Sequence, residues 1–160
     1  MVLRIFEHLH KKNPDTLLLL VGDGPMKEKC IQLSKELKIN DSVVFFGKTN
    51  KVNQLMSSAD CMLFPSRYEG FPNVLLEVQT NGLPIVFSDV ITKEIEITDL
   101  CVPLSISDDI EVWADTVLEQ LSIQRNRSKY CDIIDNLGFS SEKEIERLEK
   151  YYNEIIHNKN

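Results

Sequence analysis

Between residues 17 and 104 the chain alternates short apolar runs with helical stripes, and no other feature limits its fold so tightly. The runs occupy residues 17–21, 43–46, 61–64, 85–87 and 100–104, most of them bounded by glycine or proline. Continuous apolar runs of this length are expected of strands covered on both faces, the condition of a parallel sheet. Between them, Met26, Cys30, Leu33 and Leu37 recur at helical spacing behind Gly22-Asp23-Gly24-Pro25, where Pro25 can open a helix. Residues 52–58 read as a short helix, and residues 74–79 as a buried one stopped by Asn81-Gly82. Pro103 makes the fifth run the weakest strand. The alternation predicts an α/β domain built on a mostly parallel, doubly wound sheet.

Helices flank this region. Val2, Phe6 and Leu9 form a stripe that ends before Asn13-Pro14. Such a helix should be the crossover of a βαβ unit, yet no strand precedes it; either it is a simple cap or the chain enters a fold partway. Downstream, Ile110, Trp113, Val117 and Leu121 make one stripe. Ser141-x-x-Glu144 forms a capping box ahead of Ile145, Leu148, Tyr152 and Ile155, with the charges from Glu142 to Lys150 as a solvated face.

At 160 residues the chain can bury about 70% of its unfolded surface, enough for one core. A composition that is 42% hydrophobic and 27% charged excludes disorder. Eighteen basic against 25 acidic residues leave a net charge of −7, which argues against non-specific binding of nucleic acid or an anionic membrane. No apolar run approaches the ~20 residues of a membrane span, and Arg4, Glu7 and His8 interrupt any signal-peptide core. The expectation is a soluble, cytoplasmic domain. Cys30, Cys61, Cys101 and Cys131 form no CxxC pair and are expected as reduced core thiols. His8, His10 and His157 are too scattered for a metal site.

Two loops could carry chemistry. Gly22-Asp23-Gly24-Pro25 is neither a GxGxxG nor a Walker loop, so it is a plain strand-to-helix turn or part of a ligand cleft at the strand ends. The stretch from Phe64 to Glu77 runs from a strand end through Pro65-Ser66-Arg67-Tyr68-Glu69-Gly70-Phe71-Pro72-Asn73 into a helix. Gly70 permits a close approach or an unusual dihedral. Free amides at the helix start can meet an anion, aided by the helix dipole. Glu77 falls inside the apolar run Val74-Leu75-Leu76-Glu77-Val78, where an unpaired carboxylate is costly. A carboxylate accepts two hydrogen bonds side by side and so suits a vicinal diol. Glu69 alone reads equally well as a solvated loop acid.

Four ordered blocks now resemble one family. Leu19-Leu20-Val21-Gly22-Asp23-Gly24-Pro25, Val44-Phe45-Phe46-Gly47, Pro65-Ser66 with Glu69-x7-Glu77, and Asn81-Gly82-Leu83-Pro84-Ile85-Val86 are similar to the nucleotide-sugar half of retaining GT-B glycosyltransferases of the group 1, or family 4, class. The resemblance covers about residues 1–120 and is nearest to bacterial capsular or exopolysaccharide transferases, as the stretch 88–100 also suggests. It implies a Rossmann-like doubly wound sheet, one half of a GT-B fold, followed by C-terminal helices. Residues 1–122 would be a partial donor-binding domain and residues 123–160 a helical segment packing on it.

The resemblance also implies roles. Glu77 would hold the ribose hydroxyls, and Glu69, at the catalytic position, would orient the donor sugar. The backbone at Gly70, Phe71, Pro72 and Asn73 would approach the diphosphate, with Pro72 offering no N–H. Gly22 and Gly24 would line the same cleft, and Lys48 and Thr49 would lie near the base. The donor would be UDP- or GDP-linked and carry a hexose-type sugar, moved with retention to a glycan or lipid-linked acceptor without a bound metal or other cofactor. Preorganised cations and amides would meet the leaving-group charge.

One departure weighs against turnover. Members carry a Gly-Arg turn and a nearby lysine that grip the diphosphate, and an N-terminal acceptor domain; the sequence has none of these. The expectation is an N-terminally truncated donor half that binds nucleotide weakly and turns nothing over, any membrane association being peripheral and made through the other half. In the family's sheet order the strand not represented is central, which would leave its neighbours with exposed edges and explains the unpreceded first helix. The alternative is a non-catalytic subunit or gene remnant that needs a separate acceptor domain. A receiver or epimerase lacks support, since neither an acidic triad nor a GxGxxG occurs.

Overall fold

The computed structural model describes residues 1–139 and 141–157, apart from the side chains of Ser141 and His157. The capping hydroxyl expected at Ser141 and the end of the expected C-terminal segment, residues 158–160, lie outside the described residues.

The elements follow the sequence pattern closely. Helix α1 (Val2–Lys12) precedes strand β1 (Leu18–Val21), α2 (Lys27–Glu36), β2 (Val43–Gly47), α3 (Val52–Ser58), β3 (Met62–Phe64), α4 (Asn73–Thr80), β4 (Ile85–Ser88) and β5 (Cys101–Leu104). Three helices follow: α5 (Ile110–Ser122), α6 (Lys129–Asn136) and α7 (Ser141–His157). Pro25 does not open α2; the helix begins two residues later behind Met26, which stands exposed instead of joining the stripe. Pro103 does lie within β5, opposite Phe87 of β4. No other strand pairs with β5 among the described residues, so a residue without an N–H is tolerated on that edge.

Every strand pair is parallel, but the strands form two sheets: β1 with β2, and β3, β4 and β5 in that order. One helical layer covers both sheets, and a second covers the other face of the β3–β5 sheet only. On one side α1, α2 and α5 bury Leu3, Ile5, Phe6, Leu9, Trp113, Ala114 and Val117 against side chains of both sheets, among them Leu20, Phe45, Leu63 and Val86. On the other, Met56 of α3 and Leu75 and Val78 of α4 pack with Ile85, Phe87 and Ile95. Alternate residues of β4 therefore serve opposite layers.

Crossover handedness places the sheets side by side. Viewed from the α1 side, a right-handed crossover through α2 in front sets β2 to the right of β1. Connections behind the sheet, through α3, α4 and residues 89–100, carry the chain leftward to β3, β4 and β5. The order across the molecule is then β5-β4-β3 and, beside it, β1-β2, so the unpaired edges of β3 and β1 face one another over one shared core.

The C-terminal segment divides. Helix α6 lies against α4 and buries Tyr130 and Ile134, with the Tyr130 hydroxyl donating to Asp99 at 2.8 Å. Ahead of it, the Arg127 guanidinium donates to the carbonyls of Met56, Ala59 and Asn81, collecting the carboxyl ends of α3 and α4. Of the stripe expected on helix α7, Ile145, Leu148 and Tyr152 are exposed and Ile155 is half-buried.

Candidate functional site

Within each sheet the strands point their carboxyl ends the same way, and such ends are where ligands gather in open α/β sheets. Two loops form the rim. At the end of β1, Gly22 takes a φ of +120° and its N–H donates to the Gly47 carbonyl at 2.8 Å, so the turn after β1 is tied to the end of β2. Asp23 accepts from the Gly24 N–H and lies 4.0 Å from Lys27, leaving Gly22 and Gly24 exposed. Lys48 is exposed beside this turn, and half-buried Thr49 accepts from the Lys51 N–H at 3.0 Å.

The second loop joins β3 to α4. Ser66 donates to the Glu69 carboxylate at 2.9 Å, which fixes that half-buried acid against its own loop and leaves its other oxygen available. Pro72 caps α4 in an extended conformation, at φ −77° and ψ 98°. The Leu75 N–H already bonds to the Pro72 carbonyl, so the amides of Asn73 and Val74 are the ones the first turn leaves over. No acid neutralises that turn. The rim carries exposed Arg67 and Lys48, neither with an ion-pair partner among the described residues. The Tyr68 ring stands 89% exposed beside Glu69, and Phe71 is also exposed.

Two expectations need correction. Glu77 is not buried within an apolar helix but exposed. The face of α4 that packs inward carries Leu75, Val78 and Gln79, and 100° per residue turns position 77 away from it. Its carboxylate bears no burial penalty and sits one turn above Asn73, free to meet a ligand at the helix start. Gly70 does not use the left-handed region, and a Cβ there would meet nothing within 4 Å. Only its space, not its dihedral, can matter to a ligand. The structure thus brings Glu69, Gly70, Phe71, Pro72, Asn73 and Glu77 together on one loop and helix start, and places Gly22, Gly24, Lys48 and Thr49 at the ends of the neighbouring sheet.

The support beneath this site was not foreseen. Buried Gln79 donates to the carbonyls of Leu75 and Ile95 and accepts from the N–H and hydroxyl of Thr98, pinning α4 to the loop behind β4. A glutamine in an apolar helix is a signal that could have found it. Ser88, at the carboxyl end of β4, is fully buried with no hydrogen-bond partner for its hydroxyl. The thiols take no part. Burial pushes Cys61 up to about 12 and Cys101 up to about 11, and Cys131 is exposed on α6 rather than in the core.

Comparison with known proteins fits this arrangement. The sequence pattern of the family described as Glycosyl transferases group 1 matches residues 1–131. The chain is 31% identical over 154 residues to the putative glycosyltransferase EpsF of Bacillus subtilis, covering 95% of this chain and 40% of that protein. It is 34% identical over 147 residues to N-acetyl-alpha-D-glucosaminyl L-malate synthase of Bacillus anthracis, covering 89% of this chain and 38% of the relative. The chain therefore spans about two fifths of the length of these curated relatives. Among solved structures, the lipopolysaccharide-biosynthesis glycosyltransferase WaaG superposes with a TM-score of 0.69 at 25% identity, over 83% of this chain and 37% of WaaG. Anabaena HepE, solved in complex with UDP, shares the fold at a TM-score of 0.62 and 21% identity, over 83% of this chain and 38% of HepE. By its sequence blocks, its doubly wound fold and the match across residues 1–131, the chain belongs to the group 1 glycosyl transferase family.

Proposed function

We propose that the chain is the donor-binding half of a retaining glycosyltransferase of polysaccharide assembly, working in the cytoplasm. A nucleotide diphosphate-sugar, UDP- or GDP-linked with a hexose-type sugar, lies across the carboxyl ends of the strands. The Asn73 and Val74 amides and the backbone at Gly70 and Phe71 meet the diphosphate, helped by the α4 dipole. Glu77 accepts the two ribose hydroxyls. Glu69, held by Ser66, faces the sugar and orients it for transfer. Gly22 and Gly24 close the far side, with Lys48 and Thr49 toward the base. Leaving-group charge falls on amides and on the free cations Arg67 and Lys48 rather than on a bound metal or other cofactor.

One observation carries this reading: a hydrogen-bonded glutamate and an exposed glutamate flank the same short helix start, which has amides to spare and no acid to quench them. The acceptor, a glycan or lipid-linked chain, belongs to a second domain, and the 160-residue chain alone transfers no sugar. Calorimetric titration with UDP, GDP and their sugars tests the assignment. One nucleotide should bind, and Glu77→Ala should weaken it at least tenfold with the fold intact. A folded Glu77→Ala protein of unchanged affinity would remove the ribose contact, and transfer by the isolated chain would overturn the half-enzyme reading.

A further inference from the structure

The loop from β3 to α4 has a firm end and a single internal tie. Phe64 closes the β3 ladder opposite Phe87, and Pro65 then fixes its own φ at about −65°. Ser66 follows directly. Its hydroxyl has one proton and two acceptors in reach, the Glu69 carboxylate at 2.9 Å and the Tyr68 carbonyl at 3.3 Å. The charged acceptor at the shorter distance takes the proton. No other side chain of residues 65–72 makes a hydrogen bond among the described residues, and Arg67 and Tyr68 stand exposed between the two that do. Glu77, the second acid of the proposed donor site, is exposed and has no side-chain partner among the described residues.

We propose that Ser66 is a positioning residue for the sugar of the donor: it orders Glu69 before the ligand arrives and acts only through that carboxylate. The inference rests on the reading of Glu69 as the acid that faces the sugar. A loop glutamate samples several rotamers, and a ligand that had to select one would bear the ordering cost itself. The Ser66 bond removes that cost in advance. It also occupies one carboxylate oxygen, so the other is the one presented. Glu77 follows a different rule. It stands on the α4 backbone with both oxygens unclaimed and turns to meet a diol without such support. Ser66 therefore governs affinity for the sugar part of the donor and leaves affinity for the nucleotide part alone. Alanine removes the hydroxyl and threonine keeps it, so the two substitutions separate the bond from the space the residue fills.

Calorimetry on the full 160-residue chain compares UDP with UDP-glucose and UDP-N-acetylglucosamine, and GDP with GDP-mannose. Ser66→Ala should weaken the sugar nucleotide at least fivefold while the matching diphosphate changes less than about twofold. Ser66→Thr should bring sugar-nucleotide affinity back to within about twofold of the parent. In a Glu69→Ala background, Ser66→Ala should add nothing, since the hydroxyl then has no carboxylate to hold. Without ligand, the two Glu69 Cγ protons should have distinct NMR shifts in the parent and converge in Ser66→Ala, at an unchanged thermal midpoint. Equal losses for diphosphate and sugar nucleotide, no rescue by threonine, an additive loss in the Glu69→Ala background, or unaltered Glu69 shifts would overturn the assignment and leave the nucleotide site standing. So would a diphosphate that binds when none of these sugar nucleotides does. Binding of neither UDP nor GDP to the parent chain would instead overturn the donor reading, and the role of Ser66 with it.

Discussion

β4 and β1 are both four-residue parallel strands, Ile-Val-Phe-Ser and Leu-Leu-Leu-Val, yet they live in different environments. All four residues of β4 are buried, because a strand stands on each edge and a helical layer on each face. In β1 the residues alternate between half-buried and exposed, and Leu19 and Val21 are 37% and 43% exposed. Val44 and Phe46 of β2 extend the same open face. The apolar run in the sequence is therefore a statement about a strand's capacity for burial on both faces; neighbours decide whether that capacity is used. The better-packed sheet also carries the α4 side of the site, so the loop with Glu69 and the start of α4 rest on the firmer foundation.

Truncating one residue in each strand exposes this contrast most strongly. Phe87→Ala removes a fully buried ring from the layer shared with Leu75 and Ile95 and should cost about 3–5 kcal/mol in denaturant unfolding. Leu19→Ala, on the open face, should cost about 0.5 kcal/mol or less. Equal losses would mean that something covers β1 in solution. Two glycines sharpen the comparison at the next level. Gly82 follows α4 with φ +65°, and a Cβ there would lie 2.5 Å from the Arg127 carbonyl oxygen, so Gly82→Ala should cost about 1–3 kcal/mol. Gly70→Ala meets no protein atom. Its thermal midpoint should stay put while nucleotide affinity falls, and unchanged affinity would move the diphosphate away from that backbone.

Much of this was legible in the chain because parallel strands and amphipathic helices write periodic patterns. The five strands appear within a residue or two of the expected runs, and the stripe of Trp113 and Val117 is buried as its spacing implies. What escaped depends on partners distant in sequence. Arg127 looks like one more surface cation until the carbonyls of Met56, Ala59 and Asn81 converge on it from positions 46 to 71 residues away. The stripe of α7 has the right period, yet Ile145, Leu148 and Tyr152 stay exposed, which spacing alone could not predict. Glu77 shows the reverse: apolar neighbours in sequence suggested burial, while the helical turn sends it outward. The loop and helix start of the site could be read locally; the Gln79 network that steadies α4 could not.

Alkaline titration probes the open edge itself, since Cys61 immediately precedes β3. Burial holds its thiol up to about 12, against an ordinary value near 9. The unfolded chain therefore gives up this proton first as pH rises, and stability that is whole below pH 9 is lost progressively toward pH 12. By pH 10 the loss should be about 1 kcal/mol, and Cys61→Ala should flatten that part of the stability–pH curve. An identical curve for the variant would mean that the thiol already meets solvent in the folded chain.

The smallest effect is expected where the layer beneath the two sheets is joined by charge. Lys12 at the end of α1 donates to Asp115 at 2.6 Å and Glu111 at 3.0 Å on α5, and these hydrogen bonds, Asp115 first, raise its pKa. Its contribution is present below about pH 10.5 and disappears as pH climbs through the raised folded value. The same two helices already bury Leu3, Ile5, Phe6, Trp113 and Val117 against each other and the sheets, so α1 does not depend on this exposed clasp. Lys12→Gln should lower the thermal midpoint only slightly at low ionic strength, and the difference should vanish at 0.5 M salt, where charges are screened within a few ångströms. A deficit that survives salt would show that the aliphatic stem of Lys12, rather than its charge, holds the β1–β2 side of the core to the β3–β5 side.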